Sequence, residues 1–293
     1  MSSVGLSAYG MTGTDLVELA ECADKLGFDA LWLGEHVLRP LTQNSSHPSN
    51  GTTQHHAGPL VDEDTELTDP WVVHAMIAAV TTRIKLGTAV YVLPLRHPLQ
   101  TARTTITVQE VSGGRVLFGV GAGWLEEEFD ALGIPFRTRV SRTEECIEIL
   151  RKAWSGKPFS HEGKHFRFES VQLHLRSVDV PVILGGNGPQ AVARAARLGD
   201  GWFTSGTPSF DESLRLVREI GRLRDDAGKA GPFKCYVRVA TTAPDELERY
   251  RDHGMSDLVI WADAFWEGRT LDERRDRLAA LAERMGVTPV PAQ

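Results

Sequence analysis

Cysteine is scarce in this chain. Three thiols, Cys22, Cys146 and Cys235, are spread over 293 residues, and no two form a Cys-x-x-Cys pair. That excludes a disulfide framework and a cysteine-based zinc cluster, and it fits buried, reduced thiols in a cytoplasmic protein. Long apolar runs are missing as well. No stretch approaches the roughly 20 residues that span a bilayer. Met1-Ser2-Ser3-Val4 offers neither a basic region nor a long apolar core, so no secretion signal is expected. Positive charge is in deficit. A net charge of −7 argues against nucleic acid and anionic membranes as main partners.

What is present is an alternation. Short apolar runs rich in branched residues read as buried strands, and each is followed by a segment of helical spacing. The strand runs are Val4–Ser7, Ala30–Leu33, Ile84–Val90, Arg115–Val120, Pro181–Leu184, Gly201–Thr204, Lys234–Ala240 and Leu258–Trp261. The helical runs carry their own punctuation. Gly27 stops the first, Thr68-Asp69-Pro70 opens the second, and Gly113-Gly114 ends the third. Capping boxes are expected at Ser141 to Glu144 and at Thr270 to Glu273. Eight such units predict an α/β fold of one domain over 1–293, a closed (β/α)8 TIM barrel. A doubly wound sheet would show a glycine fingerprint after its first strand, and Gly5 and Gly10 do not match that spacing.

Two excursions break the rhythm. Residues 38–68, rich in Ser, Asn, Thr, His, Gly and Pro, leave from the second strand's C-terminal end and are expected to cover the barrel mouth as a lid. His47, His55 and His56 lie there without spaced Cys or carboxylate partners, so no metal site is expected. Residues 156–180 alternate at His165-Phe166-Arg167-Phe168, which predicts a small hairpin before the fifth strand, on the face away from the chemistry.

A barrel of this kind works at the C-terminal ends of its strands. Glu35 and His36 follow the second strand directly, so His36 is a candidate acid/base and Glu35 a group to orient it or a ligand. A surface loop that happens to hold Glu and His is the plainer reading. Gly185-Gly186-Asn187-Gly188 leads into a helix N-terminus, where exposed amides and the helix dipole favour a phosphate, and Ser205-Gly206-Thr207 lies at the next strand end. Tight turns alone would also explain those glycines. Trp124 is either a ring contact or an aromatic packed under the lid, and most of Glu126-Glu127-Glu128 is expected to face solvent. Two barrel chemistries are excluded. No Lys sits at a strand's C-terminal end to form a Schiff base, and no His-x-His follows the first strand to hold a metal. One imidazole, a phosphate cradle and an apolar mouth suit a phosphorylated organic cofactor that brings its own reactivity.

With these residues in place, the chain resembles the luciferase-like monooxygenase superfamily, and within it the deazaflavin-dependent oxidoreductases. The resemblance runs from Gly5 to about Trp261. It is carried by Gly87-Thr88-Ala89-Val90 with Pro94-Leu95-Arg96-His97-Pro98, by Ser112-Gly113-Gly114-Arg115 running into Gly119-Val120-Gly121-Ala122-Gly123-Trp124, and by Gly185-Gly186 and Asp200-Gly201-Trp202. It implies a barrel that binds coenzyme F420, or alternatively FMN, at its C-terminal face. The phosphate would lie on Gly185, Gly186, Ser205 and Gly206, with a non-proline cis peptide at Ala89–Val90 behind the ring. It implies that Glu35 and His36 sit beside the reactive ring carbon, that Glu127 contacts ring or substrate, and that a homodimer forms. The implied reaction is hydride transfer between F420 and a small organic substrate. The alternatives are an FMN-dependent monooxygenase using reduced flavin and oxygen, and a non-catalytic flavin-binding barrel. Three departures stand out. The family's sugar-phosphate dehydrogenases have a Lys near the position of Thr207, a Trp near Pro40 and a Glu where this chain has Trp124. Their phosphorylated sugar is therefore not expected here.

Overall fold

The computed structural model describes residues 3–47 and 61–289. Eight parallel strands form a closed barrel: β1 (Ser3–Ala8), β2 (Ala30–Leu33), β3 (Lys85–Thr88), β5 (Val116–Gly121), β8 (Val182–Gly185), β9 (Gly201–Phe203), β10 (Lys234–Arg238) and β11 (Asp257–Trp261). Each pairs with the next in this order, and β11 closes onto β1 through Ser3 to Ser7 against Asp257 to Trp261. The fold is the expected (β/α)8 TIM barrel. The run Ile84–Val90 differs from the expectation of a single strand. It breaks after Thr88 at a cis Ala89–Val90 peptide, and β4 (Tyr91–Val92) resumes alongside β5.

The helices are α1 (Gly13–Leu26), α2 (Pro70–Val80), α3 (Pro98–Val111), α4 (Glu126–Ala131), α5 (Arg139–Trp154), α6 (Pro189–Leu198), α7 (Phe210–Asp226), α8 (Pro244–Asp252) and α9 (Leu271–Arg284). Their ends follow the local chemistry. Asp69 caps α2 by accepting from the Trp71 and Val72 N–H groups, with Pro70 next in line. The capping box at Thr270 and Glu273 is complete. The box expected at Ser141 is not formed, because α5 already starts at Arg139. Ser141 lies inside the first turn, and its hydroxyl bonds the Thr138 carbonyl and His165 instead. The hairpin is present as β6 (Phe159–Glu162) and β7 (Arg167–Val171), tied to α5 by Glu145, which accepts from the His165 and Phe166 N–H groups.

The strands are buried on both sides, as a parallel barrel requires. Outside, they pack on the helices. Inside, Trp32 fills the lumen with its ring 4.8 Å from Phe203 and 4.6 Å from Tyr236. Gly87 makes room for it, since a Cβ there would stand 2.3 Å from the indole. Cys146 is buried and Cys22 and Cys235 are half-buried, all three free, and burial pushes the Cys146 and Cys235 thiols up to about 12. None is a ready nucleophile.

His74 on α2 is wholly buried and meets the Gly87 carbonyl at 2.9 Å through Nε2. Burial pushes its pKa down to about 4, so the folded chain keeps it neutral while an unfolded chain protonates it below pH ~6.5. The sign follows: this stability is present above that pH and drains as pH falls towards 4, by about 2 kcal/mol between pH 6.5 and 5. Urea unfolding of wild type and His74→Gln at pH 7 and pH 5 checks it. The variant keeps a donor for Gly87 and should lose less on acidification; equal acid losses would reject this role.

Candidate active site

At the C-terminal mouth of the barrel lies a cavity of ≈ 710 Å³, within the range of small-molecule and cofactor sites. Every strand end contributes to it. Going round in strand order, the walls are Tyr9 after β1, Glu35 and His36 after β2, Ala89 and Val90 between β3 and β4, and Gly121 to Trp124 after β5. Gly185 to Gly188 follow at β8, Thr204 to Thr207 at β9, Arg238 on β10 and Trp261 on β11.

His36 is the imidazole with the most deliberate setting. Its Nδ1 lies 3.1 Å from Glu128 Oε2, and Glu128 Oε1 accepts the Val37 N–H at 2.5 Å. A carboxylate in that place only accepts, so the proton sits on Nδ1. Nε2 makes no hydrogen bond among the described residues, and the residue lines the cavity. Tyr9 and Trp124 stand edge-on to the ring, at 6.1 and 5.4 Å between centroids. Glu128 is fully buried, which corrects the expectation that this acidic run faces solvent. Of the three, only Glu126 is exposed.

Glu35 does not reach His36 as a partner. Both of its oxygens bind the Arg96 guanidinium, at 2.6 and 3.0 Å, and one also accepts the Val92 N–H at 2.8 Å. Burial pushes this carboxyl up, and Arg96 and the Val92 amide hold it back. Glu127 turns away from the cavity. Its Oε1 accepts the N–H groups of Asn44 and Ser45 at 2.5 and 3.1 Å. Burial opposes ionisation there, but these amides win and bring its pKa down to about 2. Glu127 thereby fastens the first half of the excursion 38–68 to α4. His47, from the same stretch, reaches the cavity with its ring 5.2 Å from Trp124. His55 and His56 lie outside the described residues. Among the described residues no group of three or more His, Cys, Asp or Glu is placed to hold a metal ion.

The far wall is built for backbone. Val90 projects between Gly121 and Gly185, where added Cβ atoms would stand 2.4 and 2.7 Å from its methyl groups. Gly186 holds a φ of 118°, a left-handed conformation that glycine adopts freely. Two amides of the expected phosphate cradle are already engaged. Gly186 N–H donates to the Phe203 carbonyl and Ser205 N–H to Asn187 Oδ1. What opens on the cavity instead is the N-terminal turn of α6, which has no capping side chain, with Arg194 on the same helix and Arg139 on α5 beside it. The sequence pattern did not single out Arg139, Arg194, Arg238 or Glu128. A cation or anion in a helical or strand run reads as solvated until the fold turns it inward.

A (β/α)8 barrel with a cofactor-sized mouth and a carboxylate-held histidine defines a small-molecule site with an acid/base group in its wall. The family model for luciferase-like monooxygenases matches residues 2–288, so the protein belongs to that family and is an enzyme of it. It is 30% identical over 261 residues to an uncharacterized protein of Mycobacterium tuberculosis, covering 86% of this chain and 88% of that one. It is 27% identical to the F420-dependent glucose-6-phosphate dehydrogenase of Nakamurella multipartita, over 87% of this chain and 70% of the other. An F420-dependent secondary alcohol dehydrogenase bound to an F420–acetone adduct shares the fold with a TM-score of 0.65 at 20% identity, covering all of this chain and 86% of its own.

Proposed function

We propose that this protein is an oxidoreductase that passes a hydride between coenzyme F420 and a small organic substrate, with His36 giving or taking the accompanying proton. One observation carries this reading: His36 has its Nδ1 fixed by the buried Glu128, and its Nε2 is unengaged at the cavity wall. The residues present fit a flat, phosphorylated cofactor. Val90 offers an apolar bulge between two glycines, and the buried Tyr9 hydroxyl has no partner among the described residues. The α6 N-terminus with Arg194 and Arg139 supplies amides and positive charge for a phosphate, with Gly185, Gly186, Ser205 and Gly206 shaping the wall. When bound, F420 supplies the hydride chemistry. The protein supplies position, a dry apolar wall and a proton at His36 Nε2. Glu35, clamped by Arg96, acts in this reading as a positioning group for the backbone at Val92. The described start of the 38–68 excursion is held to α4 through Glu127, and His47 stands against Trp124, which supports reading the excursion as a lid. FMN-dependent monooxygenation is the second reading, favoured by the description of the family model itself.

Fluorescence titration with F420 and, separately, FMN decides between them. Tight F420 binding with weak FMN binding is expected. The reverse preference moves the assignment to the monooxygenase. If neither binds, the mouth does not hold a flavin and both readings fall.

A further inference from the structure

The described lining of the cavity holds three guanidinium groups, and the third is not accounted for by a cofactor. Arg139 and Arg194 lie beside the α6 N-terminus. Arg238 lies elsewhere. The cofactor reading occupies the arc of strands β3, β5, β8 and β9, where Val90, Gly121, Gly185 and Ser205 sit. The barrel's strand order puts the remaining arc at β10, β11, β1 and β2, which bring Arg238, Trp261, Tyr9 and His36 to the same cavity. That arc is where a substrate would stand.

Arg238 is only 4% exposed. Its guanidinium lies over the Phe203 ring at 4.8 Å and the Trp261 ring at 4.1 Å. Nη2 donates to Ser7 Oγ at 2.9 Å, and Nη1 reaches the Gly206 carbonyl at 3.3 Å. Among the described residues Nε has no partner and no carboxylate comes within ion-pair distance. Asp263 acts on it only at longer range. A buried cation without a counter-charge is expensive to keep, and burial pushes this guanidinium down to about 9. Two aromatic faces and two hydrogen bonds fix its orientation. Nε is enclosed and unpartnered and Nη2 keeps a second proton, so the guanidinium has donors left over of the kind that grip a carboxylate through two parallel hydrogen bonds. His47 belongs to the same space. Burial, then His36 and Arg238, push its imidazole down to about 4. A phosphate dianion would call for a second cation, and the lining residues of this arc supply none.

We propose that Arg238 is the anion subsite of the substrate: it receives the carboxylate of an organic acid whose apolar body lies against Tyr9, Trp124 and Trp261, within the same mouth as His36. The oxidoreductase reading enters only in calling this ligand the substrate.

Benzoate and its neutral isostere benzamide, titrated calorimetrically into the protein with and without F420, test the subsite. Benzoate should bind wild type about 10–100-fold more tightly than benzamide, the range for hydrogen bonds to a charged group. Arg238→Met should bring the two affinities within about twofold of each other, on the same scale. Arg194→Met should leave the preference intact, and so should saturating F420. Equal binding of the two probes to wild type overturns the proposal. So does a preference that survives Arg238→Met, disappears in Arg194→Met, or is abolished by F420, because the anion would then sit in the cofactor arc. If Arg238→Met does not fold, Arg238→Lys carries the test. It keeps the charge without the fork and should lose most of the preference, and full retention overturns the proposal. If F420 does not bind at all, the hydride-transfer reading fails while the benzoate preference and its dependence on Arg238 are still read on the protein alone.

Discussion

His36→Ala is expected to lower turnover with F420 by about 10²–10⁴-fold while leaving cofactor affinity within about threefold, since general acid–base catalysis supplies a factor of that order. The geometry behind this is specific. Nε2 meets the cavity only because Nδ1 is pinned to Glu128, and Glu128 is held in turn by the Val37 N–H. Glu128→Gln should therefore cost about 10–100-fold in turnover, the weight of one charge-assisted hydrogen bond, without touching the cavity wall itself. Glu128→Leu goes further and removes the acceptor from both the His36 Nδ1–H and the Val37 N–H, which should also destabilise the fold by about 1–3 kcal/mol. Stopped-flow cofactor oxidation or reduction, with affinity measured separately by fluorescence, separates a proton-transfer role from a binding role. If His36→Ala turns over at the wild-type rate, the residue leaves the mechanism, and Glu128 becomes a structural carboxylate.

Gly119→Ala should be the most damaging single-methyl change in the barrel. Gly119 lies on β5, and its α-carbon faces the backbone of Thr88, where β3 ends. An added Cβ would stand 1.6 Å from the Thr88 carbonyl oxygen and 2.8 Å from its carbon. The obstacle is backbone, so no rotamer change relieves it. The Thr88 hydroxyl also donates to the Gly119 carbonyl at 2.7 Å, locking the two strands at that spacing. A loss of about 4 kcal/mol or more is expected, outside the ordinary range of point substitutions. Gly221→Ala is the internal control. It sits exposed within α7 with nothing near its would-be Cβ, and should stabilise by about 0.5–1 kcal/mol. Urea melts of both variants check the pair. A Gly119→Ala chain as stable as wild type would mean that β3 and β5 can separate at this point.

The order of elements was legible from periodicity because each strand and helix is patterned by its own burial. Runs such as Ala30–Leu33 and Val182–Gly185 are apolar along their whole length, as strands covered on both faces must be, and Asp69-Pro70 and Thr270 with Glu273 stop or start helices through contacts a few residues long. The Glu35-His36 pair was visible for the same local reason, as polar chemistry placed directly after a buried strand. Ser141 shows where local reading fails. Its capping pattern is genuine, but α5 starts two residues earlier and the hydroxyl finds Thr138 and His165 instead.

The partners of the site were decided by tertiary structure alone. Three adjacent glutamates on a helix point about 100° apart, so one of them must turn inward wherever α4 docks. Which one is settled only when α4 lies against the β2 end, 92 positions away in sequence, and Glu128 meets His36. Glu35 looked like the orienting partner because it is adjacent in sequence. Adjacent residues at a strand end diverge, and Arg96 claims its carboxylate. Arg238 reads in sequence as a polar residue finishing a strand. Barrel closure puts that position between Phe203 and Trp261, with Ser7 behind it, and turns a surface-type residue into a buried cation. The sequence by itself determined the barrel and its mouth, because burial and capping act over a few residues. Which charges face one another across that mouth was set by the closure of eight strands, which no window of neighbouring residues contains.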